Sequence, residues 1–136
     1  MSKIVQLSEA SSLGLHATIL LAREGGTISI GRMAGSLGAS EAHLAKVVQQ
    51  LAKAGLVRTT RGPKGGVCLA RSPEEISYLE VYEAIEGKLT TADCILHSSG
   101  RCPFSSCIFG GMLCRMVGEI RERFSKTPLS EGIVNN

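Results

Sequence analysis

The stretch from Ser40 to Arg71, SEAHLAKVVQQLAKAGLVRTTRGPKGGVCLAR, leaves this chain the least freedom in how it folds. Leu44, Val47, Val48 and Leu51 recur at i, i+3, i+4 and i+7, which lays an apolar stripe along one side of a helix. Ser40 is suited to cap that helix, Glu41 to sit in its first turn, and Gly55 to supply a left-handed stop. Ala42, Lys46, Gln49, Gln50 and Lys53 fall on the opposite side, flanked by His43 and Ala45. Two short strand-like runs follow, LVRTTR and VCLA. They are joined by a tight GPKGG connection with Lys64 at its tip.

The flanking segments read as helices around this unit. Residues 8–24 are apolar nearly all round and are stopped by Gly25 and Gly26, so that helix should be buried on more than one side. His16, lone in this run, reads as a satisfied core or interface histidine. A short helix from Ile30 to Leu37 turns Met33, Ala34 and Leu37 inward. After the hairpin, SPEE begins a helical turn with Ser72 as cap and Pro73 first, and Ser77 with Glu80 forms a capping box for YLEVYEAIEG. A long helix runs to Lys126, with Met112, Met116, Ile120 and Phe124 recurring every four residues. The last ten residues, TPLSEGIVNN, look frayed.

Helix, short helix, glycine-containing turn, second helix, two-stranded hairpin: this is the order of a winged helix-turn-helix. The fold class is therefore mainly α with a small β-hairpin, followed by a long C-terminal helix. Three parts are expected: a winged domain over 1–87, a cysteine-rich loop over 88–110, and a helix with its tail over 111–136.

Charge points to a partner. Between Ser40 and Arg71 six Lys/Arg face Glu41 alone, whereas the rest of the chain carries nine basic and eleven acidic groups. A local cation on a slightly acidic body suggests nucleic acid, with a merely solvated basic face as the alternative. The expected DNA-contacting set on the helix is Ser40, Ala42, His43, Lys46, Gln49, Gln50 and Lys53. The hairpin adds Arg58, Arg61 and Lys64. Gly62, Gly65 and Gly66 would let the hairpin loop come close to a duplex. No Walker or dinucleotide loop and no His–carboxylate pair at helical spacing is visible, which argues against an enzyme. The apolar run from Leu13 to Ala22 falls short of the roughly 20 residues a bilayer crossing needs. The N-terminus lacks a signal-peptide core, so a cytoplasmic location without membrane contact is expected.

Cysteine placement is uneven. Of five cysteines, four lie in a window spaced C-x7-C-x4-C-x6-C over Cys94, Cys102, Cys107 and Cys114. In a reducing compartment such clustering favours metal ligation or redox chemistry over a disulfide framework. Structural zinc sites prefer two close pairs, which this spacing lacks; iron–sulfur loops are less regular. Cys68, in the second strand, reads as a small buried hydrophobe.

The helix HLAKVVQQLAKAGLV, the RGPKGG wing and the following SPEEISYLEVYEAIEG resemble the NsrR/IscR family of bacterial winged-helix regulators, over residues 6–124. The resemblance implies a homodimer held by the long C-terminal helix through Met112, Met116, Ile120 and Phe124, bound to double-stranded DNA at a palindromic operator. That apolar seam fits a partner helix independently, with packing inside one subunit as the competing reading. DCILHSSGRCPFSSC is most similar to the nitric-oxide-sensing branch. The likeness implies that Cys94, Cys102 and Cys107 hold an iron–sulfur cluster, 4Fe-4S or 2Fe-2S. The fourth ligand is open. The matching N-terminal position is Ser12, which is no anion, leaving Cys114, Glu9, His97 or an exogenous ligand. The implied function is a transcriptional regulator, in the repressor sense, responding to nitric oxide, oxygen or redox state, or cluster supply. The alternative is a DNA-binding regulator that works through bare thiols such as Cys102 and Cys107, or through a zinc-held loop.

Overall fold

The computed structural model describes residues 7–89 and 104–134. Its elements are α1 (Glu9–Glu24), α2 (Ile30–Leu37), α3 (Glu41–Lys53), β1 (Val57–Thr60), β2 (Gly66–Leu69), α4 (Tyr78–Glu86), α5 (Met112–Lys126) and α6 (Glu131–Val134). This is a winged helix-turn-helix followed by a long helix. Local chemistry sets most boundaries. Ser8, Ser29, Ser40 and Ser77 cap α1, α2, α3 and α4, each side-chain oxygen accepting a backbone N–H three residues on. At α4 the capping box is complete: Glu80 also accepts from the Ser77 backbone N–H at 3.1 Å. SPEE behaves differently from its expected helical start. Pro73–Glu75 form a single 3-10 turn, and the Ser72 hydroxyl donates to the Glu74 carboxylate instead of capping the turn.

Packing radiates from α1, which touches α2, α3, α4, β2 and α6. Leu13, Ala17 and Leu21 of α1 meet Met33 of α2, the Leu44–Val47–Val48–Leu51 stripe of α3, and Val57 and Val67 of the hairpin in one core. The same stripe that predicts a helix thus supplies its buried face, with Leu44 and Leu51 fully inaccessible. Thr18 is buried in the middle of α1. Its hydroxyl stays satisfied by back-bonding to the Gly14 carbonyl at 3.0 Å.

The hairpin is antiparallel, pairing Val57 with Leu69, Arg58 with Cys68, Thr59 with Val67 and Thr60 with Gly66. A third strand of one residue completes it. Ile28 and Val67 exchange both backbone hydrogen bonds, at 2.9 and 2.8 Å, tying the α1–α2 connection to the outer edge of β2. Gly65 and Gly66 are required by this arrangement itself. A Cβ at Gly65 would stand 2.3 Å from the Thr60 carbonyl oxygen, and one at Gly66 would stand 2.4 Å from that of Ile28.

Three sequence expectations are corrected. His16 is not a core residue of this chain: it is exposed with Glu9 and Ser12 on the solvent side of α1, and its Nδ1 is satisfied at 2.7 Å from the Ser12 carbonyl oxygen. Cys68 is half-buried and stands across from Arg58 on the hairpin's outer face. The tail is folded through Val134. Leu129 is fully buried in the main core, its N–H donates to Ile76 O at 2.9 Å, and Gly132 of α6 sits directly on Ile19. One apolar residue between Pro128 and Ser130 has no periodicity to signal burial; its depth is set by the backbone bonds on either side of it.

Candidate nucleic-acid interface and cysteine site

Lys46, Gln49, Gln50 and Lys53 of α3 line an open groove whose other wall is Thr59 of β1, with Ala52 at its floor. Helical spacing places the four α3 side chains on one exposed face, and strand alternation turns Thr59 toward them. Among the described residues lining the groove, none is a carboxylate. The cations are also free. Ion pairs among the described residues join Arg32 to Glu24, Arg71 to Glu80, Arg121 to Glu83 and Lys126 to Glu122, and none involves Lys46, Lys53, Arg58, Arg61 or Lys64. Glu41, the one acid of the region, lies with its carboxylate against Gly31 of α2.

The remaining predicted contacts separate into groups. Ala42 is exposed on α3, His43 is half-buried, and the Ser40 hydroxyl is committed to capping through the His43 N–H at 3.1 Å. Arg61 and Lys64 project at the hairpin tip, held by the Gly62–Gly65 turn with its 2.9 Å backbone bond. Arg58 alternates to the hairpin face away from the α3 groove. Thr59 was absent from the charge-based set; the period-two alternation of VRTT, which pairs it with buried Val57, was the available signal.

Of the cysteine window, Cys94 and Cys102 lie outside the described residues, as does His97. Cys107 and Cys114 are exposed around the start of α5. The backbone N–H groups of Gly111 and Phe109 hydrogen-bond the Cys107 sulfur and draw its pKa below the ordinary thiol value, with a smaller contribution from Gly110. Gly111 caps α5 in a left-handed conformation without a side-chain cap, which leaves the start of the helix next to the Cys107 sulfur. The thiolate is the form that ligates a metal, and these amides favour it at Cys107. Among the described residues no three His, Cys, Asp or Glu side chains converge within one chain. Glu9, Ser12 and His16 instead share a shallow depression with Leu37, Gly38 and Ala39.

The apolar seam of α5 is divided. Phe124 packs edge-on against Tyr78 and Tyr82 of α4, with ring centroids 6.2 and 6.0 Å away, and Ile120 joins it beside buried Val117. Met112 and Met116 remain about half exposed, at 45% and 48%, next to exposed Phe104, Ile108 and Phe109. The described part of the chain therefore uses the C-terminal half of the seam and leaves the N-terminal half uncovered.

Residues 7–134 match the Rrf2 family, described as "Iron-dependent Transcriptional regulator". The chain belongs to the Rrf2 family. Among the relatives of this Rrf2 chain, the HTH-type transcriptional regulator NsrR of Bacillus licheniformis is 31% identical over 103 residues, 74% of this chain and 72% of that protein. NsrR of Halalkalibacterium halodurans is 35% identical over 80 residues, 59% of this chain, and the chain spans about half the length of that relative (51%). Among solved structures, CymR, the global cysteine regulator of B. subtilis, superposes with a TM-score of 0.82 at 25% identity, covering 97% of this chain and 98% of that one. IscR of T. potens gives 0.73 at 26% identity, covering 93% and 84%. The winged helix-turn-helix and the Rrf2 regulator family are thus secure. No helix among the described residues is long and apolar enough to cross a membrane.

Proposed function

We propose that this Rrf2 protein is a cytoplasmic, homodimeric transcriptional repressor, not an enzyme, whose grip on a palindromic operator is governed by an iron–sulfur cluster. The observation that carries the DNA-binding part is the α3–β1 groove. Its two lysines and two glutamines have no acidic competitor among the described lining residues, and Arg61 and Lys64 stand ready on the hairpin tip. Glutamine and lysine side chains suit base edges and phosphates, and an unpaired cation loses no ion pair when it meets a phosphate. Met112 and Met116, with Ile120 and Phe124 behind them, offer α5 to a second copy.

Cys94, Cys102 and Cys107 would hold the cluster, and the thiolate-favouring amides around Cys107 support that assignment. When bound, a cluster supplies iron that reacts with nitric oxide or oxygen and responds to cluster supply. The chain's own residues connect the cysteine segment to the DNA face. Leu89, at the near end, is buried against Leu79, Tyr82 and Val117, so it is held between α4 and α5. In turn α4 packs on α1 and α3. A change in how the cysteine segment is held therefore has a packed route to the recognition helix, and for that route to act as a switch the cluster must distinguish DNA-competent from incompetent dimers.

Anaerobic purification followed by iron and sulfide analysis and electron paramagnetic resonance, before and after nitric oxide, tests the cluster. A brown protein with about equal iron and sulfide, bleached by Cys102→Ala without loss of fold, is expected. The likeness to CymR, of which an oxidized form is among the similar solved structures, keeps one alternative open, a DNA-binding regulator acting through bare thiols; a zinc-held loop is its variant. A colourless anaerobic preparation, with zinc or no metal, would favour that alternative instead.

A further inference from the structure

The α3–β1 groove has one member that neither charge nor helical pattern announces. Thr59 is exposed there, and its hydroxyl has no hydrogen-bond partner among the described residues. Its place on β1 is set by the hairpin register. Thr59 lies across from Val67, whose N–H and C=O both bond Ile28, and the neighbouring pairs Arg58–Cys68 and Thr60–Gly66 hold it in register. Val67 and Ile28 are 1% and 2% exposed, which anchors that row in the core. An exposed hydroxyl on a strand held in register loses little entropy when it binds.

We propose that Thr59 and Lys53 together hold a phosphate of the DNA backbone strand that passes between the groove entered by α3 and the adjacent groove reached by the hairpin tip. This rests on the DNA-binding reading above and adds a sequence-neutral contact that sets the protein's register on the duplex. The chemistry matches: a phosphodiester oxygen only accepts hydrogen bonds, and the site offers a hydroxyl donor and an ammonium. Position matches too. A base edge is read from the outward face of a helix, whereas Thr59 stands on the β1 wall between α3 and the hairpin tip, so a DNA strand passing from one to the other would run over it.

The test uses the full chain, purified anaerobically, and fluorescence anisotropy over a salt series. One probe is a duplex selected from a random pool by the wild-type protein; the other is a scrambled duplex of equal composition. Thr59→Val keeps shape and strand preference while removing the hydroxyl, and should weaken both duplexes by a common factor of about fivefold. Thr59→Ser keeps the hydroxyl and should remain within about twofold of wild type. Lys53→Ala should weaken both and reduce the slope of log affinity against log salt by about 0.9. Unchanged binding by Thr59→Val overturns the proposal. So does a loss confined to Thr59→Ser, which would place the methyl on a thymine, or a changed ratio between the two duplexes. A wild-type protein with no salt-sensitive affinity for either duplex overturns the DNA-binding reading itself, a separate result.

Discussion

Arg121 of α5 reaches Glu83 of α4 at 3.1 Å, and the same guanidinium nitrogen donates to the Leu89 carbonyl at 2.8 Å. Glu83 in turn accepts the Leu89 N–H at 2.8 Å. Two charged side chains thus close on both backbone polar groups of the last described residue before the cysteine segment. Arg121→Met should release that clamp. The pair is partly solvent-screened, so the cost in stability is modest, about 1 kcal/mol. The sharper readout is local: amide exchange at Leu89 should accelerate well beyond that of the α1 core. Equal protection of Leu89 in both proteins would show that packing alone holds this end.

Leu129 fills the core from the C-terminal side and is fully buried. Leu129→Ala leaves a cavity that neighbouring α1 cannot close without moving, so urea unfolding should show a loss of about 2–5 kcal/mol. A frayed tail would give a change near zero.

Gly65→Ala and Gly66→Ala each place a Cβ inside van der Waals contact of a backbone carbonyl, at 2.3 and 2.4 Å. Either substitution should displace the hairpin while leaving the helices intact. Far-ultraviolet circular dichroism is expected to be nearly unchanged, with the amide resonances of β1, β2 and Ile28 shifted and duplex binding weakened. Retention of the wild-type hairpin resonances would show that the turn has room that the geometry denies.

The thiol of Cys107 titrates below the ordinary thiol value because the amides of Gly111 and Phe109 stabilise its thiolate. The sign follows directly: at a given pH below the ordinary value, a larger fraction is thiolate than in a free cysteine. In metal-free protein, the alkylation rate of Cys107 by iodoacetamide should rise with pH and level off earlier than for a small-molecule thiol. A coincident profile would mean that the amides do not reach the sulfur in solution.

Lys46 and Gln49 share the exposed face of α3 in the groove. Lys46→Ala and Gln49→Ala should each weaken binding to a selected duplex by about 1–3 kcal/mol if they touch bases, and less if they touch phosphate only. Gln49→Ala should also relax preference at a defined base position. Unchanged binding in both would place the DNA on another face.

Sequence alone determined the elements that local chemistry governs. The Leu44–Val47–Val48–Leu51 spacing, the serine caps and the Ser77–Glu80 box fix where helices start and which side they bury, because those signals act over one or two turns. The cationic surplus of the α3-hairpin region was equally legible, being a matter of composition. What only the tertiary structure decided depends on chain segments that meet from far apart. Ile28 becomes a strand because Val67 lies beside it, Leu129 is buried because Ile76 offers a carbonyl, and Thr59 faces a groove because α3 forms the opposite wall. The apolar seam of α5 carries one pattern along its length, yet Phe124 is claimed by Tyr78 and Tyr82 while Met112 is left open. Periodicity states that a side chain seeks apolar company; the packing of α4 against α5 selects which ones find it within the subunit.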